Sequence, residues 1–494
     1  MVKSARPNKT LDRDLGSRVL LENANYAIRK PLVAPALGGV FIVVAILLTS
    51  LAFGWAGNGL IIALAAGLGA YMALNIGAND VANNVGPAVG ANALSMGGAL
   101  IIAAIFESAG ALLAGGDVVG TISKGIIDPT AVSEPRIFIW AMMSALIASA
   151  VWVNLATWVG APVSTTHSVV GGVMGAGIAA AGFAAVNWPK MSQIAASWVI
   201  SPVLGGVIAA LFLWLIKSQV SDQKDKITAA RRWVPILIAI MAGAFATYLS
   251  VKGLKKIVAI DLQYALLIGA VSAVLFYFIS HPMIRKQSEG KENSKDTVRN
   301  LFTLPLICAA ALLSFAHGAN DVANAIGPLA AIVHTAEASE VVAKVSIPFW
   351  VMIVGAFGLS FGLLLFGPKL IRMVGQQITK LNPLRAYCVA LSAAITVIVA
   401  SWLGLPVSST HIAVGAVFGV GFFREAHWRV THNKEVVKEV VETEAGKADK
   451  KKRKHRKLVR RSHFLTIIAA WVITVPAASI LSGVVFLLLN AVAG

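Results

Sequence analysis

Charge is scarce in this chain. Only 13% of its 494 residues are Asp, Glu, Lys or Arg, and the acids number 23. A soluble globular domain carries about a quarter of its residues as charges, so that class is excluded. Cysteine is nearly missing, and Cys308 and Cys388 both lie inside apolar runs, so they say nothing about a disulfide framework. The runs lack the ten-residue alternation of an outer-membrane barrel. The first of them follows a long, mostly polar segment with no small-residue cleavage site, which argues against a cleaved signal peptide.

What is present is apolar sequence, with 57% hydrophobic residues and a mean hydropathy of +0.76. Runs long enough to span a bilayer recur about 12 to 13 times, so the expected fold is an all-α polytopic membrane protein. The net charge of +19 does not point to nucleic acid, because 31 of the 42 Lys and Arg residues fall in four polar stretches: 1–34, 217–232, 281–300 and 424–463. By the positive-inside rule these stretches face the cytoplasm. The densest piece, KADKKKRKHRKLVRR at 447–461, then lies where it is solvated or meets anionic lipid headgroups.

Parity divides the chain. Residues 1–34 form a basic cytoplasmic segment, 35–57 an extra N-terminal transmembrane helix, and 58–216 a first unit of five segments. Cytoplasmic linkers and two connecting transmembrane helices occupy 217–300. A second five-segment unit, 301–494, contains the basic cytoplasmic loop 424–463. Five crossings reverse the side on which a unit ends, so the two units enter from opposite faces and form inverted-topology repeats, with broken or re-entrant helices among their segments. Loop charge agrees: the linker 187–193 carries only Lys190, whereas its counterpart 424–463 carries fourteen Lys and Arg. This arrangement puts the N-terminus in the cytoplasm and the C-terminus outside.

Each unit carries two polar motifs. GANDVANNVGPAVGA at 77–91 returns as GANDVANAIGPLAAI at 318–332, and APVSTTH at 161–167 returns as LPVSSTH at 405–411, at offsets of 241 and 244 residues. An acid at the bilayer centre costs roughly 2.5 to 3.5 kcal/mol on insertion scales, so Asp80 and Asp321 are functional candidates. With the amides of Asn79, Asn83, Asn320 and Asn324 they are hard oxygen ligands suited to Na⁺, or acceptors of H⁺. Proline followed by hydroxyl residues and a small-residue run is a helix start. A helix beginning inside the membrane presents unpaired N–H groups and a positive dipole end, a site for an anion. Ser164, Thr165, Thr166, Ser408, Ser409 and Thr410 supply hydroxyls for a small tetrahedral oxyanion. Glu107 is a further intramembrane acid, a coupling site or a wet helix-end residue. His167 and His411 relay protons or bond neighbouring helices; Asp117 and Lys369 fall at segment ends.

These four motifs, in this order and spacing, resemble the PiT family of inorganic phosphate transporters over roughly residues 59–490. The resemblance implies a transporter rather than an enzyme, importing inorganic phosphate by symport with Na⁺ or H⁺ through alternating access around a midplane site, in the plasma (inner) membrane. It implies phosphate contacts at the six hydroxyl residues and cation contacts at Asn79, Asp80, Asn83, Asn320, Asp321 and Asn324. Asp80 and Asp321 are the metal ligands if the ion is Na⁺, and Glu107 matches the family's acid after the first motif. No cofactor beyond the co-transported cation is implied, and homo-oligomer formation is left open. A sulfate or other oxyanion permease, and an uncoupled anion channel, are the competing functions. The helix at 35–57 lies outside the family core.

Overall fold

The computed structural model describes residues 32–493 apart from 129–130, 133, 162, 254–259, 342–346, 375–380 and 441–460. Among the described residues there is no strand beyond an isolated bridge between Ile127 and Val186. That follows from the solvent: in hydrocarbon a helix satisfies its backbone N–H and C=O groups within itself.

The first helix is α1 (Leu32–Phe53). The first unit follows as α2 (Asn58–Asn84), α3 (Gly86–Gly90), α4 (Met96–Ala114), α5 (Gly116–Lys124), α6 (Pro135–Val159), α7 (Thr165–Ala181) and α8 (Trp188–Ile216). A connecting pair, α9 (Lys226–Tyr248) and α10 (Leu262–Ser288), leads to the short α11 (Lys295–Leu301). The second unit is α12 (Thr303–Ala338), α13 (Phe349–Val374), α14 (Pro383–Trp402), α15 (Ser409–Val440) and α16 (Arg461–Ala493). Among the described residues eleven helices are long and apolar enough to cross a membrane. The hydroxyl-motif helices α7 and α15 are not among them; adding those two gives thirteen segments, in line with the sequence expectation.

Burial sorts the helices into core and periphery. In the spans containing α12 and α14, 78% of the apolar window is buried, against 11% in α10 and 17% in α1. The units cross-pack: α2 of the first lies on α13 of the second and α12 of the second on α4 of the first, while α7 packs on α16 and α15 on α8. The motif glycines permit the first two crossings. A Cβ on Gly77 would overlap the carbonyl oxygen of Leu359, and one on Gly318 that of Glu107. Small residues that let helix backbones touch are the usual adhesive of membrane bundles.

Two departures from the sequence reading stand out. The stretch 424–463 is not all loop, because α15 continues to Val440; its Lys, Glu and Val content holds no Gly or Pro to stop a helix before Gly446. The Gly-Pro of the two long motifs also has different outcomes. In the first copy α2 ends at Asn84 and Pro87 opens α3, whereas α12 runs through Pro328 without ending. At 36 residues, α12 is about 54 Å long.

Candidate functional site

The two hydroxyl motifs begin helices as expected. Ser164 caps α7 by accepting from the backbone N–H of His167 at 3.0 Å, and Ser408 accepts from that of His411 at 3.3 Å. Each motif follows a glycine in the left-handed region, Gly160 at φ 78° and Gly404 at φ 65°, which turns the chain out of the preceding helix and back into the bundle. The GAND segments lie within α2 and α12 and point their Asp side chains at these helix starts.

The result is a matched set of contacts in which each carboxylate meets both motifs. Asp80 accepts from Thr165 Oγ1 at 2.8 Å within its own unit and from Thr410 Oγ1 at 2.8 Å across the interface. Asp321 accepts from Ser409 Oγ at 2.9 Å within its unit and lies 3.4 Å from Thr166 Oγ1 across it. Asn83 donates to Thr410 Oγ1 at 2.7 Å, and Asn324 to Thr166 Oγ1 at 3.1 Å. Of the thirteen residues proposed from sequence, eight thus form one centre: Asp80, Asn83, Thr165, Thr166, Asp321, Asn324, Ser409 and Thr410.

Four others frame that centre. Ser164 and Ser408 are the caps. Asn79 donates to Thr157 Oγ1 at 2.9 Å and accepts from the Val163 N–H at 3.3 Å, tying α2 to the end of α6 and the motif behind it. The Asn320 amide is 2.8 Å from Ser401 Oγ in either orientation of its amide, tying α12 to the end of α14 in the same manner. All of these residues, and Glu107, are at most 5% exposed, so the site is occluded.

Glu107 stands to one side, and it leads to a residue that sequence reasoning missed. Its Oε1 accepts from Asn84 Nδ2 at 2.7 Å and lies 3.2 Å from His317 Nδ1. The other ring nitrogen of His317, Nε2, is 2.9 Å from Asp321 Oδ2 and 3.7 Å from Asp80 Oδ2. His317 therefore reaches all three acids. Asp80, His317 and Asp321 bring one ligand atom each within 4.8 Å of one another. The signal for His317 was available: it immediately precedes the second GAND, where the first copy has Ile76. His167 and His411 lie behind the caps with ring centroids 4.4 Å apart, edge to face, and His167 packs on Trp198. Asp117 forms an ion pair with Lys252 at 2.8 Å, and Lys369 donates to the Trp158 carbonyl at 3.1 Å, so both residues tie helix ends.

A buried polar chamber assembled from both halves of a helical bundle, lined by acids and hydroxyls and closed to solvent, is the architecture of a multi-pass membrane transporter. The chain belongs to the phosphate transporter family, whose model matches residues 76–482. It is 46% identical over 519 aligned residues to a candidate phosphate permease of Helicobacter pylori strain J99, covering 95% of this chain and 97% of that one. It is 36% identical to a candidate phosphate permease of Pyrococcus furiosus, covering 85% of this chain and 94% of that one. Among solved structures it resembles one described as the sodium-dependent phosphate transporter, with a TM-score of 0.78 and 36% identity, over 87% of this chain and 99% of the other. The family is one of transporters and not of enzymes.

Proposed function

We propose that the chain imports inorganic phosphate by symport with a cation, Na⁺ or H⁺, and that coupling works by exchange of hydroxyl donors. One observation carries the reading: hydroxyls of both phosphate-motif helices are turned onto Asp80 and Asp321. A Ser or Thr hydroxyl has a single proton to donate. While Thr165, Thr410 and Ser409 donate to carboxylates they have none for phosphate. A cation that binds at the two acids, with the amide oxygens of Asn83 and Asn324 nearby, competes for their oxygens and frees those hydroxyls for the phosphate oxygens, and the N-termini of α7 and α15 add dipole stabilisation. By linkage, phosphate raises cation affinity by the same factor, on the order of 5- to 150-fold for typical couplings. The oxygen donor set suits Na⁺, and the related solved structure is described as sodium-dependent.

Alternating access in this reading rocks one unit against the other about the occluded centre, as inverted repeats do. The packing of the two GAND helices favours inversion: Asn58 donates to the Ala336 carbonyl, Gly69 meets Leu329 and Asp80 lies 3.7 Å from His317, so α2 and α12 run antiparallel. The basic stretches then face the cytoplasm of a plasma (inner) membrane, with anionic lipid at their surface.

The test is phosphate uptake into proteoliposomes under an imposed Na⁺ or H⁺ gradient. Wild type takes up phosphate with one gradient, arsenate competes and sulfate does not, and Asp80→Asn and Asp321→Asn abolish gradient dependence. Undiminished gradient-driven uptake in both variants would overturn the role given to the acids. Uptake insensitive to either gradient would instead favour a channel.

A further inference from the structure

At one end of the bundle, side chains from four separate chain segments form a cationic cluster that the transport site does not use. Lys217 begins the turn after α8, Lys295 and Arg299 lie on α11, Arg385 is in the first turn of α14, and Arg424 is on α15. Lys217 is within electrostatic reach of Lys295, Arg385 and Arg424, while Arg299 is within reach of both Arg385 and Arg424. Three of the four basic stretches of the sequence therefore meet in space.

The cluster is anchored. Val298 and Leu301 of α11 are buried in the same core as Ile216, Val220 and Leu384, so the short helix is pinned between the turn after α8, α9 and α14. Asn293 locks the neighbouring turn by accepting from the Lys226 N–H at 2.9 Å and donating to the Lys224 carbonyl at 2.8 Å. Lys217, Arg385 and Arg424 are partly buried, which weakens solvent screening of their repulsion. Among the described residues three acids lie beside them: Asp222 near Lys217 and His427, Asp296 paired with Arg299, and buried Glu425; Glu425 and Arg385 are each already engaged. Five cations held together against three acids form a preorganised receptor for anionic charge.

We infer that Lys217, Lys295, Arg299, Arg385 and Arg424 form a second anion site, for a ligand bearing several phosphate charges, either a clustered anionic lipid headgroup or a soluble polyphosphate. Guanidinium groups favour phosphate, whose oxygens they grip in bidentate fashion; Arg424 leads here, beside Arg299, which also pairs with Asp296, and Arg385, which also has a partner. Arg424 lies about 22 Å along α15 from Ser409, at 1.5 Å per residue, so the site is separate from the hydroxyl centre yet on the same helix. An occupant there braces α8, α11, α14 and α15 together.

The experiment uses the full chain in phosphatidylcholine nanodiscs and follows its thermal unfolding midpoint. Inorganic tripolyphosphate is titrated in one arm, and phosphatidylglycerol replaces part of the lipid in the other. Stabilisation in either arm is expected, and the responding arm identifies the source. The variant Lys217→Gln/Arg385→Gln/Arg424→Gln should lose it, with half-saturation shifted by about tenfold or more. If that variant does not fold, Arg424→Gln alone must still weaken the response. No stabilisation of wild type in either arm, or an equal response in the variants, overturns the inference. Asp80→Asn should keep the response whether or not it transports, so failure here and failure of the transport reading are separable.

Discussion

The two units build the same centre from different means. Around Asp80, Thr165 and Thr410 both donate at 2.8 Å. Around Asp321 Ser409 is the one hydroxyl of the two motifs that donates at short range, because the Thr166 hydroxyl is 2.9 Å from the Val407 carbonyl and 3.4 Å from the carboxylate. His317 adds a contact that Asp80 has only at 3.7 Å, setting Nε2 2.9 Å from Asp321 Oδ2, the oxygen that also accepts from Ser409. The residue related to His317 is Ile76, that related to Asn84 is Ala325, and the packing of Gly77 and Gly318 relates Glu107 to Leu359. So the three polar residues that break the likeness touch one another, and their three counterparts are apolar. What is matched sets the geometry; what is unmatched makes the two acids unequal.

The largest effect tests the matched part. Gly77→Val and Gly318→Val each drive a side chain into the partner helix backbone, where neither neighbour can yield. Overpacking costs about 1 to 3 kcal/mol or more in a core that can adjust, and a backbone overlap lies at the upper end. Neither variant should run as a monodisperse species on size exclusion in detergent. If one folds and the other does not, the two crossings are not equivalent.

Next comes the unmatched part. His317→Ile copies the first unit but leaves Glu107 buried with Asn84 as its remaining contact, a loss on the order of 3 to 5 kcal/mol for a broken buried pair. The double variant His317→Ile/Glu107→Leu copies the first unit on both sides and should recover most of the thermal midpoint that the single variant loses. A double variant no more stable than the single would show that the two residues are not coupled.

The hydroxyls come third. Thr410→Val removes a short bond to a carboxylate and the acceptor of Asn83, at about 1.5 to 3 kcal/mol, or roughly ten- to a hundredfold in uptake rate. Thr166→Val removes the longer acceptor of Asn324, a bond to the Val407 carbonyl and only a weak contact to Asp321, and should cost less uptake than Thr410→Val. Equal losses would mean that the long Thr166 contact counts for as much as the short Thr410 one.

Most of the frame was legible in sequence because likeness is what a comparison of copies detects. The GAND and hydroxyl motifs, the serine caps and the helix starts all announce themselves locally. His317 escaped because it is where the copies differ, and a lone histidine beside a motif carries no spacing signal. The unequal fate of the two Gly-Pro pairs was hidden for a related reason: α2 ends at Asn84, the residue drawn toward Glu107, whereas Ala325 has no such partner and α12 continues. The cross-unit bond from Thr410 to Asp80 joins residues 330 apart and is set by packing alone.

The smallest difference lies in how each hydroxyl-motif turn is held. The second turn is held by Thr121 of α5, which donates to the Gly404 carbonyl at 2.7 Å and is buried. The first is held by Lys369 of α13, which donates to the Trp158 carbonyl at 3.1 Å in an exposed setting. A buried neutral hydrogen bond contributes about 1 kcal/mol, and losing its donor strands the acceptor. An exposed ammonium competes with water, and its removal falls within about 0.5 kcal/mol. Thr121→Val should therefore lower the unfolding midpoint measurably, while Lys369→Met should leave it almost unchanged. If Lys369→Met proves the more costly, then the first turn depends on a charge at the end of α6, and the two units differ at their rims as well as at their centre.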